Sequence, residues 1–175
     1  TEDGFDKYDP FENQFKTNKG ISKHIKNEIP RIRGFSKTYD DNIIIATRHN
    51  GLFILKKEVY YPLFNDNSDI ASIFSFDGKV FYCGLWNGDV LEYNYETKRS
   101  KVFNIGFKQS PVLAFAKFGE NKIIIGSHGE GAVAVDINTF EAFKIPGITN
   151  VDKFINKIKV DALGKIWFAT QSGVF

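Results

Sequence analysis

The sequence predicts an all-β fold of β-propeller blades, four-stranded antiparallel repeats of 37–47 residues, roughly four along 175 residues. Three observations predict it. A short apolar run ends at a small residue, meets a polar turn and restarts after a glycine, five times over. The closing glycines, Gly4, Gly51, Gly88, Gly131 and Gly173, stand 47, 37, 43 and 42 residues apart. Within one period, four strand-like runs are separated by turn residues. Finally, no ten-residue stretch carries a convincing helical spacing of apolar positions, and an aromatic share of 15% with 18 Phe suits pleated surfaces.

The elements follow in order. Residues 1–17 open part-way through a unit, with FDKYD after Gly4 as its third strand. Residues 21–29 come nearest to helical spacing, and Pro30 closes them. The blade at 31–64 has strands at 31–39, 42–47, 51–55 and 59–64. In the blade at 70–105, an apolar run ends at Asp77-Gly78 and a second at the turn 84–88. There 89–95 alternates apolar and polar like a half-exposed strand, and a polar stretch at 96–100 leads into 101–105. The blade at 111–145 repeats the plan at 111–118, 122–127, 132–136 and 141–145. Residues 153–175 supply strands at 153–161 and 165–170 before a third begins.

Two positions in each unit have an architectural reason. Ala46, Gly84, Gly126 and Ala169 close the second strands, where neighbouring blades converge and a large side chain would clash. The glycine that opens each third strand suits a turn with positive φ. First and second strands are the most apolar and are expected to be covered on both faces. Third and fourth strands carry Lys56, Lys57, Glu92, Lys101 and Lys144.

Composition bounds the function. A formal net charge of +2 points to no nucleic-acid partner, and loop solvation accounts for Lys16, Lys19, Lys23 and Lys26. No apolar run approaches the roughly 20 residues of a membrane helix, so no membrane contact is expected of this segment. Cys83 is the single cysteine and reads as a small buried hydrophobe. A chain that starts at Thr, holds no Met, and opens and closes inside repeats reads as a piece of a longer polypeptide. Its terminal pieces could combine into one blade and close a ring of four. The alternative is an arc of a larger ring or an oligomer, whose raw edges would invite pairing.

The units resemble the two-component regulator propeller repeat: an apolar strand, a small gap, then Gly-Leu and an alternating strand. KIWFATQSGVF at 165–175 is most similar, followed by NIIIATRHNGLFIL at 42–55 and KIIIGSHGEGAVAVD at 122–136. GKVFYCGLWNGDVLEYN at 78–94 and TEDGFDKYD at 1–9 are looser. Thr gives way to Leu85 and Ser127, and the characteristic Trp survives only at Trp167. The resemblance implies a non-enzymatic, periplasmic sensor segment of a hybrid histidine kinase system. It implies an oligosaccharide or similar small ligand, with a neighbouring propeller or a dimer mate as protein partner. The chain shows no nucleotide-binding or phosphoacceptor pattern of the kinase itself.

A propeller brings its second-to-third loops and its inter-blade loops onto one face. Here those loops hold the candidate ligand-binding residues Arg48, His49, Trp86, Asn87, His128, Glu130 and Gln171, with inter-blade loops at 65–69, 107–110 and 147–152. Sugar recognition needs these types, a flat apolar ring for the pyranose face and planar polar groups for its hydroxyls. Plainer roles stand beside this one. Asn-Gly is good turn chemistry at Asn50 and Asn87, and His49 and His128 read more readily as solvated loop residues than as ligand contacts. Arg48 suits either a bidentate clamp on an anion or a surface ion pair. Trp86 is the strongest candidate, since a short turn offers so large a ring no obvious core.

No catalytic constellation is present, and no cofactor or metal is expected. His24, His49 and His128 fall in separate loops without metal-ligand spacing. There is no GxSxG elbow, and SHGEG at 127–131 lacks the Lys-Ser/Thr of a phosphate loop. A protein-interaction scaffold is the second reading, and a propeller lyase or hydrolase the third.

Overall fold

The computed structural model describes residues 5–18, 31–57, 59–65, 67–145 and 153–175. The expectations for Gly4, Lys19, Lys23, His24 and Lys26, for 21–29 with Pro30, and for the 147–152 loop lie outside these residues. Among the described residues there is no helix. In the described residues sixteen strands form five antiparallel sheets. A hairpin pairs β1 (Phe5–Asp9) with β2 (Gln14–Asn18). Then come β3 (Ile32–Lys37), β4 (Ile43–Thr47), β5 (Gly51–Lys56) and β6 (Val59–Phe64) in one sheet. The next holds β7 (Ile70–Phe74), β8 (Val80–Leu85), β9 (Asp89–Asn94) and β10 (Ser100–Asn104). The third holds β11 (Val112–Phe118), β12 (Lys122–Ser127), β13 (Ala132–Asp136) and β14 (Ala142–Lys144). The last pairs β15 (Ile155–Val160) with β16 (Ile166–Thr170).

Each four-stranded sheet is a meander in sequence order, and the first strand of each lies beside the first strand of the next. β3 packs by β7, β7 by β11, and β11 by β15. This is the arrangement of propeller blades around an axis.

Side-chain alternation sends each second strand's residues to opposite neighbours. Ile44 faces forward into the core shared with the second blade, where Phe81, Cys83, Leu91 and Tyr93 meet it. Tyr82 faces forward into the next core, with Phe115, Ile123 and Ile125. Ile124 does the same toward Ile155, Ile158 and Phe168. Cys83 is fully buried in the first of these cores. The fourth copy of the forward position is Trp167, which is 46% exposed, against 0% for Ile44 and Ile124. Its indole N–H donates to Asp161 at 2.9 Å.

The small residues closing the second strands sit where blades converge. A Cβ on Gly84 would stand 2.2 Å from the Val112 carbonyl oxygen on the next blade's first strand. One on Gly126 would stand 2.8 Å from Ile155 Cγ2. The turn glycine also answers to its conformation: Gly51 has φ of 70°, and a Cβ there would strike the Phe64 carbonyl oxygen.

One expectation is corrected. Second and third strands, rather than first and second, are the most deeply buried: β4, β5, β8 and β12 are almost wholly inside, whereas β3 alternates between half-buried and exposed. β8 and β12 have a strand on both edges and a neighbouring blade against both faces. A first strand leaves one edge to the central channel.

The hydroxyl that precedes the turn has a use of its own. Thr47 Oγ1 donates to the Gly51 carbonyl at 2.9 Å, and Thr170 Oγ1 to that of Gly173 at 3.1 Å. Ser127 Oγ does the same to Gly131 at 3.3 Å. Leu85 departs from this pattern and is buried in the core between the first two blades instead.

Candidate ligand-binding rim

Arg48, Trp86, His128 and Gln171 hold the same position in four successive units, the first residue after each second strand. One backbone bond repeats with them. Their N–H groups donate to the residue ahead of the first strand of the same blade: Arg48 to Arg31 at 2.8 Å, Trp86 to Asp69 at 3.0 Å, His128 to Pro111 at 2.9 Å and Gln171 to Phe154 at 3.2 Å. Four candidate side chains are thereby set at equivalent points around one mouth of the channel.

A second repeated device lies just below. Each first strand carries a register shift at the same place, between Ile32 and Gly34, Ile70 and Ser72, Val112 and Ala114, and Ile155 and Lys157. The extra residues are Arg33, Ala71, Leu113 and Asn156. A bulge re-aims a side chain that regular pleating would send into a blade face. Arg33 is the charged member of this ring and is exposed.

The rim residues gather in local groups across the blade junctions. At the first junction the Arg48 guanidinium carbon lies 4.8 Å from the Trp86 ring centroid, and that of Arg33 lies 5.5 Å away. Arg48 Nε–H donates to Asp69 Oδ1 at 3.0 Å, and His49 Nδ1 stands 3.8 Å from the same oxygen. Arg48 and Asp69 also form a bridge between blades. Trp86 is half-buried, and its Nε1–H is buried with no acceptor among the described residues. His49 has φ of 69°, so the turn holds it in the left-handed region.

At the second junction the side chains serve the loops. Asn87 closes its turn, with Nδ2 donating to Asp89 Oδ2 at 2.8 Å and Oδ1 accepting from Asp89 N–H at 3.1 Å. Its carbonyl accepts from Gln109 N–H at 3.1 Å. Glu130 Oε1 accepts from the Lys108 N–H, tying one second-to-third loop to the inter-blade loop before it. At the third junction, His128 and Gln171 meet at 3.1 Å between Nε2 atoms, and the His128 ring meets Phe154 edge-on at 5.1 Å. Gly129 and Gly131 N–H groups donate to the Lys153 carbonyl on the following blade.

Of the seven sequence-derived candidates, Arg48, His49 and Trp86 thus form one cluster and His128 and Gln171 another. Asn87 and Glu130 are engaged in loop structure. Two members of the Trp86 cluster were absent from those seven. Arg33 sits inside an ordinary-looking strand run, and the pairing register alone shows it to be the bulged residue. Asp69 ends an inter-blade loop, and its place just before a first strand was the available signal.

A separate groove of about 360 Å³ runs along the first strands away from this rim. Phe74, Phe76 and Phe115 line it with Lys117, Lys157 and Lys159. Among the described residues no group of three His, Cys, Asp or Glu could hold a metal ion, and no helix is long and apolar enough to cross a membrane.

Fold and rim together define the class: a β-propeller segment whose variable side chains ring one end of the channel. No family model matches the sequence, and no curated protein matches it. Among solved structures, the chain is similar to the extracellular domain of BT4673 from B. thetaiotaomicron, described as a hybrid two-component system. The TM-score is 0.76 at 18% identity, over 99% of this chain and 24% of that one. A second structure of that domain, described as part of a one-component system, gives a TM-score of 0.77 at the same identity and coverage. The chain therefore spans about a quarter of the length of those domains. Streptogramin B lyase is similar at a TM-score of 0.75 and 12% identity, over 98% of this chain and 57% of the lyase.

Proposed function

We propose that this segment is the ligand-sensing part of an extracellular two-component sensor, and that it binds an oligosaccharide or glycan fragment on the rim. The observation that carries the proposal is the repeat-equivalent placement of Arg48, Trp86, His128 and Gln171. Conformational constraint falls on the small residues and glycines of each turn, while the residue beside them changes from copy to copy. A scaffold with one variable position per unit around one mouth suits recognition. Likeness to the BT4673 extracellular domain supports a sensory role in a periplasmic or extracellular setting. The segment acts by binding, and ligand contact shifts how it packs against a neighbouring propeller or a dimer mate.

Trp86 is the residue on which the reading turns, because among the four equivalent rim positions it alone carries an indole, half-buried beside Arg48 and Arg33. A glycan-array screen of the protein, followed by calorimetry on the hits, tests the proposal. Trp86→Ala should abolish binding while thermal unfolding stays cooperative. Unchanged affinity in that variant removes the rim as the site.

A further inference from the structure

The Trp86 cluster has an uneven supply of donors and acceptors, and that imbalance bears on what it can bind. Arg33 and Arg48 each carry a guanidinium with five N–H donors and no acceptor. Both stand over or beside one indole. The acceptor present is Asp69, and it is already used: Oδ1 takes Arg48 Nε–H at 3.0 Å, and Oδ2 lies 3.5 Å from Nη2 of the same residue. Arg33 has no carboxylate partner among the described residues.

Two fixed positive charges therefore share one carboxylate. A guanidinium positioned by stacking presents its fork ready-made, with less side-chain entropy lost on binding. Arg48 is held by Asp69 and by the ring. Arg33 is presented by the bulge between Ile32 and Gly34, on the first strand of a blade adjoining the one that supplies Trp86.

A neutral sugar's oxygens can accept these N–H groups but carry no charge to offset the second guanidinium. A carboxylate or sulfate offers acceptors alone and complements it bidentately. We propose that the ligand of this rim is an acidic saccharide, a uronic acid or sulfated sugar, whose anionic group is taken by Arg33 with Arg48 beside it. This rests on the glycan-binding reading and names its ligand class. Arg33 is a specificity residue in it. Its side chain is exposed and joins no core, so replacing it leaves folding intact.

The test is calorimetric titration of the protein with oligogalacturonates and a sulfated chondroitin disaccharide, each beside a neutral counterpart made by reducing its carboxyl groups and, for the disaccharide, also removing its sulfate. The acidic form should bind at least about tenfold more tightly than its neutral counterpart, as loss of one charge-assisted fork implies. Arg33→Gln should erase that difference. Arg33→Lys should restore part of it, since the charge returns without the fork. Equal affinity for both forms, unaltered by Arg33→Gln, overturns the acidic assignment and leaves saccharide binding standing. No binding of either form overturns both.

Discussion

Arg48 joins two blades through one carboxylate: its Nε–H donates to Asp69 at 3.0 Å while its guanidinium lies 4.8 Å from the Trp86 ring. The same side chain thus belongs to an inter-blade bridge and to the candidate site. This sets the position of the indole through a polar contact that remains partly open to water.

That arrangement makes a prediction about coupling. Arg48 and Asp69 side chains are 26% and 33% exposed, so their ion pair is partly screened. Arg48→Ala and Asp69→Asn should each cost about 1 kcal/mol or less. A double-mutant cycle followed by urea unfolding should give a coupling energy of the same sign and of that order. Strict additivity would show that the pair contributes nothing to the junction.

Gly84 predicts a larger effect from a smaller change. An added methyl would meet the Val112 carbonyl oxygen at 2.2 Å, and backbone on a packed first strand cannot move aside cheaply. Gly84→Ala should lower stability by roughly 1–3 kcal/mol, read as a fall in the urea midpoint at unchanged slope. Gly119→Ala makes the comparison: open space surrounds that glycine, and its φ of 67° is the source of strain. An unmoved midpoint for Gly84→Ala would mean that the blades do not converge there.

Asp161 predicts a pH effect. Its carboxylate accepts the Trp167 indole N–H, and the Leu163 and Lys165 N–H groups as well. The Trp167 bond is the largest cause of a pKa held below the ordinary 3.8; burial, next in size, opposes it, and the Lys165 and Leu163 backbone bonds lower it further. A depressed folded pKa means that this carboxylate's stabilisation is fully present above 3.8 and is lost as pH falls through the lower folded value. The Trp167 indole N–H resonance should report that titration below pH 3.8, and Asp161→Asn should remove it. A midpoint at or above 3.8 would contradict the bonding.

Much of the fold was present in the pattern of residues, because strand periodicity and turn chemistry are local. The runs at 122–127 and 132–136 coincide with β12 and β13, and Ile123, Ile124 and Ile125 are all buried because alternation sends Ile123 and Ile125 into one inter-blade core and Ile124 into the next. Loop residues of the rim were visible for the same reason, Arg48, Trp86, His128 and Gln171 each lying two or three residues before a glycine. Arg33 was not visible. A bulge is decided by pairing with another strand, and the string of apolar and polar residues around it reads as ordinary alternation. Nor did local pattern separate Asn87, tied to Asp89, from Trp86, set among arginines contributed by another blade.

By itself, then, the sequence determined the repeat: where strands start and stop, which residues must be small, and which positions vary. These follow from backbone conformation and burial within one unit of about 40 residues. Only the tertiary structure decided who meets whom at the junctions. It put Arg33 and Arg48 on one indole and His128 against Gln171, and left Trp167 half-exposed where Ile44 and Ile124 are buried. Those contacts lie between residues tens of positions apart, and their geometry is set by how one blade turns against the next.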